Sequence, residues 1–155
     1  MKAVVITTYL SAMLLFGSSA NAAENPKVAT EIIALVRAQW DGEITGTAVE
    51  DQMNTVADDY TEFSHELPML LSGKPLMKRF SAAPSDGKTL YSEMLNPKVQ
   101  VYADTAILTY NYLGYFRERD GSMSKSLEKA TRVYVRQSGR WMLVHAHFSA
   151  AAEIK

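Results

Sequence analysis

Residues 131–149, TRVYVRQSGRWMLVHAHFS, constrain this chain more than any other stretch. Two runs of alternating apolar and polar residues, Ala130 to Gln137 and Trp141 to Phe148, flank a Gly-containing turn. Period-two alternation places one set of side chains on each face of a strand, so the pattern predicts a β-hairpin with one buried face. The register depends on the turn. A two-residue Ser138-Gly139 turn sets Arg132 opposite His145. A three-residue turn with Gly139 in a left-handed bulge sets Arg132 opposite Val144 and rotates His145 and His147 to the other face. Ser-Gly is a poorer two-residue turn than Asn-Gly, which favours the bulge.

The rest of the chain supplies partners for that hairpin. Asn25 is a candidate N-cap before Pro26, and Val28, Ile32, Leu35, Val36 and Trp40 then recur at helical spacing. Gly42 and Gly46 are expected to break this helix, and Thr47 to cap a second one running through Val56. The run from Tyr60 to His65 alternates, with Tyr60 and Glu62 on one side and Thr61, Phe63 and His65 on the other. A third helix is expected over Lys74 to Ala82, ending in the polar loop Ala83 to Gly87. Strands follow over Leu90 to Leu95, Val99 to Tyr102, Thr105 to Phe116, Leu127 to Gln137 and Trp141 to Phe148. Asn96-Pro97 is the expected break between the first two. Three helices followed by an antiparallel meander predict an α+β domain, the helices packed on one face of a curved sheet. The strand from Thr105 carries Leu108, Tyr110, Tyr112 and Phe116 on one face and Ile107, Leu113 and Tyr115 on the other. Apolar groups on both faces call for cover on the side the helices leave open, and a second subunit provides it, as a homodimer or a larger ring.

At the other end of the chain, Lys2, the apolar run Ala3 to Phe16 and the small residues Gly17 to Ala22 match a secretory signal peptide with cleavage after Ala22. Residues 1–22 are therefore expected to be removed, leaving one domain over 23–155 in the periplasm or outside the cell. The apolar run is shorter than a bilayer span, so no membrane association is expected after cleavage. The formal net charge is −1, and loss of Lys2 makes it one unit more negative. Such a surface lacks the basic excess that nucleic acid or an anionic membrane demands. Cysteine is absent, which excludes disulfides and bacterial lipid attachment and leaves the hydrophobic core as the source of stability.

Several motifs point to a family. Leu95-Asn96-Pro97, Thr131-Arg132-Val133 with Tyr134 next, Gly139 and Trp141, and Val144-His145 with His147 and Ser149 resemble the association domain of calcium/calmodulin-dependent protein kinase II. Thr61, Phe63, Arg79 and Phe80 fit as well, as they do the wider SnoaL-like and nuclear transport factor 2-like superfamily. The resemblance implies a cone of helices on a bent sheet (a cystatin-like arrangement), a cavity in its mouth and self-association through the outer face. It further implies a cavity lined by arginines that suits a small carboxylate. Arg132 stands at one of those positions, whereas Tyr112 and Phe148 occupy the other two, so a more aromatic cavity is expected. In the ketosteroid isomerase branch, the catalytic tyrosine, base and acid fall at Leu35, Ser64 and Thr131, none of which can do that chemistry.

The candidate cavity residues are therefore Arg132, Tyr112, Tyr134, Tyr110, Tyr60, Phe63 and Phe148, with His65 and His145 as candidate acid or base groups. A buried Arg132 needs a partner, such as Glu128, another carboxylate, a tyrosine hydroxyl or a bound anion. His145 and His147 share a face, but a metal would need a third ligand, so a hydrogen-bonded pair at an interface or the cavity rim is expected. No metal or cofactor is expected. The functional expectation is a non-catalytic binding domain for a small organic molecule, a carboxylate among the candidates. An isomerase, dehydratase or polyketide cyclase in the same cavity is the alternative, and an oligomerisation scaffold is the third reading.

Overall fold

A computed structural model describes residues 25–83 and 87–152. The expected signal segment 1–22 lies outside the described residues. The first helix, α1 (Pro26–Thr45), starts as its sequence dictates: the Asn25 side chain accepts from the Val28 amide at 3.1 Å and Pro26 opens the first turn. Its inward stripe is Val28, Ile32, Val36 and Trp40. Burying each of these contributes roughly 1.5–3 kcal/mol.

Gly42 does not break α1. It sits on the buried side, where a Cβ would lie 3.4 Å from both Gln52 Cγ and Thr47 Cβ, so its small size serves close packing of the returning chain. The helix stops at Gly46, whose φ of 76° is the left-handed cap that glycine adopts at little cost. The expected second helix shrinks to one turn, α2 (Val49–Gln52), followed by a 3-10 turn over Met53–Thr55. Val56 already belongs to a strand, β1 (Val56–Ser64), longer at its start than the alternation from Tyr60 indicates. After the short β2 (Leu71–Ser72) comes α3 (Lys74–Ser81). Of the three helices, only α1 buries residues fully.

Four long strands complete the chain: β3 (Gly87–Tyr102), β4 (Thr105–Glu118), β5 (Met123–Gln137) and β6 (Arg140–Ala150). Asn96-Pro97 does not divide β3. Asn96 takes a positive φ of 52°, and the register against β4 shifts between Leu95 and Lys98. The dipeptide is thus absorbed as a bulge that bends the strand. Sheet order is β2-β1-β6-β5-β4-β3, antiparallel except where β1 runs parallel to β6. The result is an α+β domain with α1 on one side of a curved, unclosed sheet. The helix side buries Ala106, Leu108, Tyr110, Ala130, Arg132, Tyr134 and Ala146. On the far side Ile107 and Leu113 are half-buried, and Tyr115 is exposed.

The hairpin follows neither expected register as far as Arg132, and the favoured three-residue turn is not the one formed. Ser138 and Gly139, with φ of 49° and 81°, form a two-residue turn whose two positive angles match the twist of the strands. Tyr134 accordingly pairs with Leu143. A bulge at Val144 then shifts the register, so that Val133 meets His145 and Arg132 meets Ala146. Neither His145 nor Val144 stands opposite Arg132. The bulge lies within β6 rather than at Gly139, yet it has the same effect on the histidines, which point away from Arg132.

Candidate functional site

Between α1 and the concave side of the sheet lies a cavity of about 190 Å³. Its depth is set by β4 and β5. Even-numbered residues of both strands face α1, which aligns Tyr110, Tyr112, Glu128 and Arg132 on one wall. Across β6, Phe148 pairs with Ala130 and therefore shares this face. Trp40 closes the helix side, its ring 5.8 Å from Tyr110 in an edge contact and 5.3 Å from Tyr112. Tyr112 takes up its position because residue 114 is glycine: a Cβ there would lie 2.4 Å from the Tyr112 hydroxyl and 2.7 Å from Phe116 Cζ. The Tyr112 hydroxyl then meets Ser92 Oγ at 3.0 Å.

Arg132 is 5 % exposed, and its fork is engaged by neutral groups. Nε donates to the Tyr110 hydroxyl at 3.0 Å, and Nη1 donates to Gln39 Oε1 at 2.6 Å. The guanidinium carbon lies 5.3 Å from the centre of the Phe148 ring, and the buried Tyr134 phenol is close enough to interact with its charge. Of the partners expected for this arginine, the tyrosine hydroxyl is the one observed. Glu128 lines the cavity but accepts from Ser126 Oγ at 2.7 Å instead.

Two further acids belong to the site. Glu62, 6 % exposed, accepts the Tyr60 hydroxyl at 2.6 Å. Burial first, and then the neighbouring Glu62, hold the Tyr60 phenol far above its ordinary range, so it stays a donor. Glu43, one helical turn beyond Gln39, accepts from Gln39 Nε2 at 3.2 Å. Much of its surface remains open to water, yet protein crowding its carboxyl raises its pKa, opposed by the nearby Arg132 charge.

Seven of the nine residues expected at the site are thus accounted for around the cavity. Arg132, Tyr112, Tyr110, Tyr60, Phe148 and His65 line it, and Tyr134 is buried within range of the Arg132 charge. Phe63 and His145 do not reach it. Phe63 alternates with the buried Glu62 and is 48 % exposed on the far side. His145 pairs there with Thr61, its Nδ1 2.9 Å from Thr61 Oγ1, and the Phe63 ring packs against both His145 and His147. The histidine pair is consequently on the outer sheet face and not on the cavity rim. Among the described residues no group of three or more His, Cys, Asp or Glu is placed to hold a metal. Sequence reasoning missed Gln39, Glu43 and Glu66. The first two were legible in principle, as a polar i, i+4 pair beside the buried Trp40 on the helix that faces the cavity.

Comparison with known proteins agrees with this architecture. The family model described as the calcium/calmodulin dependent protein kinase II association domain matches residues 29–152. Calcium/calmodulin-dependent protein kinase type II of Caenorhabditis briggsae is 34 % identical over 61 residues, which cover 39 % of this chain and 11 % of that protein. The match thus spans about a tenth of the kinase. Among solved structures, the kinase II hub of S. rosetta superposes with a TM-score of 0.69 at 27 % identity, covering 83 % of this chain and 99 % of the hub. A nuclear transport factor 2-like protein of unknown function from Pseudomonas putida KT2440 also gives 0.69, at 20 % identity and 86 % and 93 % coverage, a likeness of fold.

Proposed function

Because the chain belongs to the calcium/calmodulin-dependent protein kinase II association domain family, within the nuclear transport factor 2-like superfamily, we propose that it is an exported, self-associating domain whose cavity holds a small organic molecule without transforming it. The observation that carries the reading is the cavity itself: a walled space of about 190 Å³ in which tyrosine, tryptophan and phenylalanine rings surround a few fixed polar groups. Binding sites combine an apolar wall with a small number of oriented polar atoms in this way. The volume lies below the roughly 300–1,000 Å³ of sites that take drug-sized ligands, so the ligand is small. Self-association is supported by the relatives named as hub and association domains and by the half-buried and exposed apolar groups Ile107, Leu113 and Tyr115 on the outer face. Export rests on the pattern of residues 1–22.

The catalytic alternative has one observation in its favour, the Tyr60–Glu62 pair beside the cavity. The Tyr60 hydroxyl donates to Glu62, however, so its proton is not offered to the space.

Thermal-shift screening of the purified protein with neutral, cationic and anionic metabolites, together with light scattering at micromolar concentration, tests the reading. A stabilising compound recovered unchanged and a dimeric or larger mass are expected. A monomer stabilised by nothing in the panel overturns it, and a compound recovered as product transfers the assignment to the enzyme reading.

A further inference from the structure

The cavity has a charge pattern opposite to one suited to carboxylates. Glu43, Glu62, Glu66 and Glu128 line it, and Arg132 is the one Lys or Arg among the lining residues. That arginine already donates to Tyr110 and Gln39 and is covered by Phe148, so only part of its fork is left for an incoming anion. Glu62 is placed differently. It is more than nine-tenths buried, one oxygen accepts from Tyr60, and among the described residues it forms no ion pair. A carboxylate buried without a counter-ion is costly unless a cation reaches it. Between the acids the wall is aromatic, with Trp40 and Tyr112 in contact at 5.3 Å. Aromatic faces attract a positive head group, most strongly where water is displaced.

We propose that the cavity selects a small organic cation, an ammonium-bearing molecule whose positive head lies toward Glu62 with its carbon groups against Trp40 and Tyr112. The inference rests on the binding reading above and goes beyond it by fixing the ligand's charge. An anion of equal size meets several carboxylates at close range and is repelled, while a neutral molecule gains no attraction from them.

Isothermal titration of the purified protein with choline, n-butylamine, 3,3-dimethyl-1-butanol and glutarate tests this directly, because the alcohol matches choline in shape and lacks its charge. At least one of the two cations should bind tenfold or more tightly than the alcohol, and glutarate should give no heat. E62Q should weaken the cation at least tenfold. E128Q, outside the buried pair, should weaken it severalfold and keeps the test open if E62Q fails to fold. Equal or tighter binding of the alcohol or of glutarate overturns the cation assignment while leaving the cavity as a binding site. No binding by any of the four probes overturns the assignment outright.

Discussion

Nη1 of Arg132 on β5 donates to Oε1 of Gln39 on α1 at 2.6 Å, joining sheet and helix across 93 residues of chain. Because the same guanidinium also holds Tyr110, it acts as a strut behind the cavity wall. Q39A removes one charge-assisted hydrogen bond and should cost about 1–2 kcal/mol in urea unfolding. R132A strands the Tyr110 hydroxyl and opens space under Phe148, so a loss of about 3–4 kcal/mol is expected. The double variant should lose less than the sum, because the two side chains share a bond. An unchanged midpoint for Q39A contradicts the strut.

Four tyrosines, Tyr60, Tyr110, Tyr112 and Tyr134, have pKa values raised primarily by burial. In the unfolded chain each releases its proton near pH 10, while the folded form still retains it. The stability they contribute is therefore present below pH 10 and declines as pH rises above it. Phenolate absorbance followed against pH should show these four titrating only together with loss of the near-ultraviolet circular dichroism. Smooth titration of every tyrosine near pH 10 in the folded state contradicts this.

Gly114 leaves room for the Tyr112 ring. G114A should displace that ring, break the Tyr112–Ser92 hydrogen bond and destabilise by roughly 1–3 kcal/mol through overpacking. A variant as stable as the wild type, with unchanged Tyr112 ring resonances, contradicts the packing argument.

Ser138 occupies a left-handed position at φ 49°, which asparagine tolerates better than serine. S138N should stabilise by about 0.5–1 kcal/mol without altering the β5–β6 pairing. A lower thermal midpoint for S138N contradicts the assigned turn.

The strand pattern was legible because alternation survives any context: Tyr60 and Glu62 face inward and Phe63 outward, as their spacing requires. Phe63 alternates with the buried Tyr60 and Glu62, so its aromatic character does not bring it into the cavity. Gly42 and Asn96-Pro97 look like ends in a local reading, yet packing against Gln52 and pairing with β4 carry the chain through them. The Val144 bulge has no local signature, since it reconciles a two-residue turn with the facing required deeper in the sheet. Glu66 joins the site only through tertiary contact, and adds to the balance of charge in the cavity.

β6 joins β1 to the rest of the sheet, with β1 and β2 on one side of it and β5, β4 and β3 on the other. During synthesis, then, the strand that unites the two parts emerges after every other strand of the sheet. Until Arg140–Ala150 are available, β1 lacks its long neighbour and Phe148 is absent from the cavity wall. In a nascent chain the sheet therefore closes only once Arg140–Ala150 have emerged, a late dependence typical of folds rich in contacts distant in sequence.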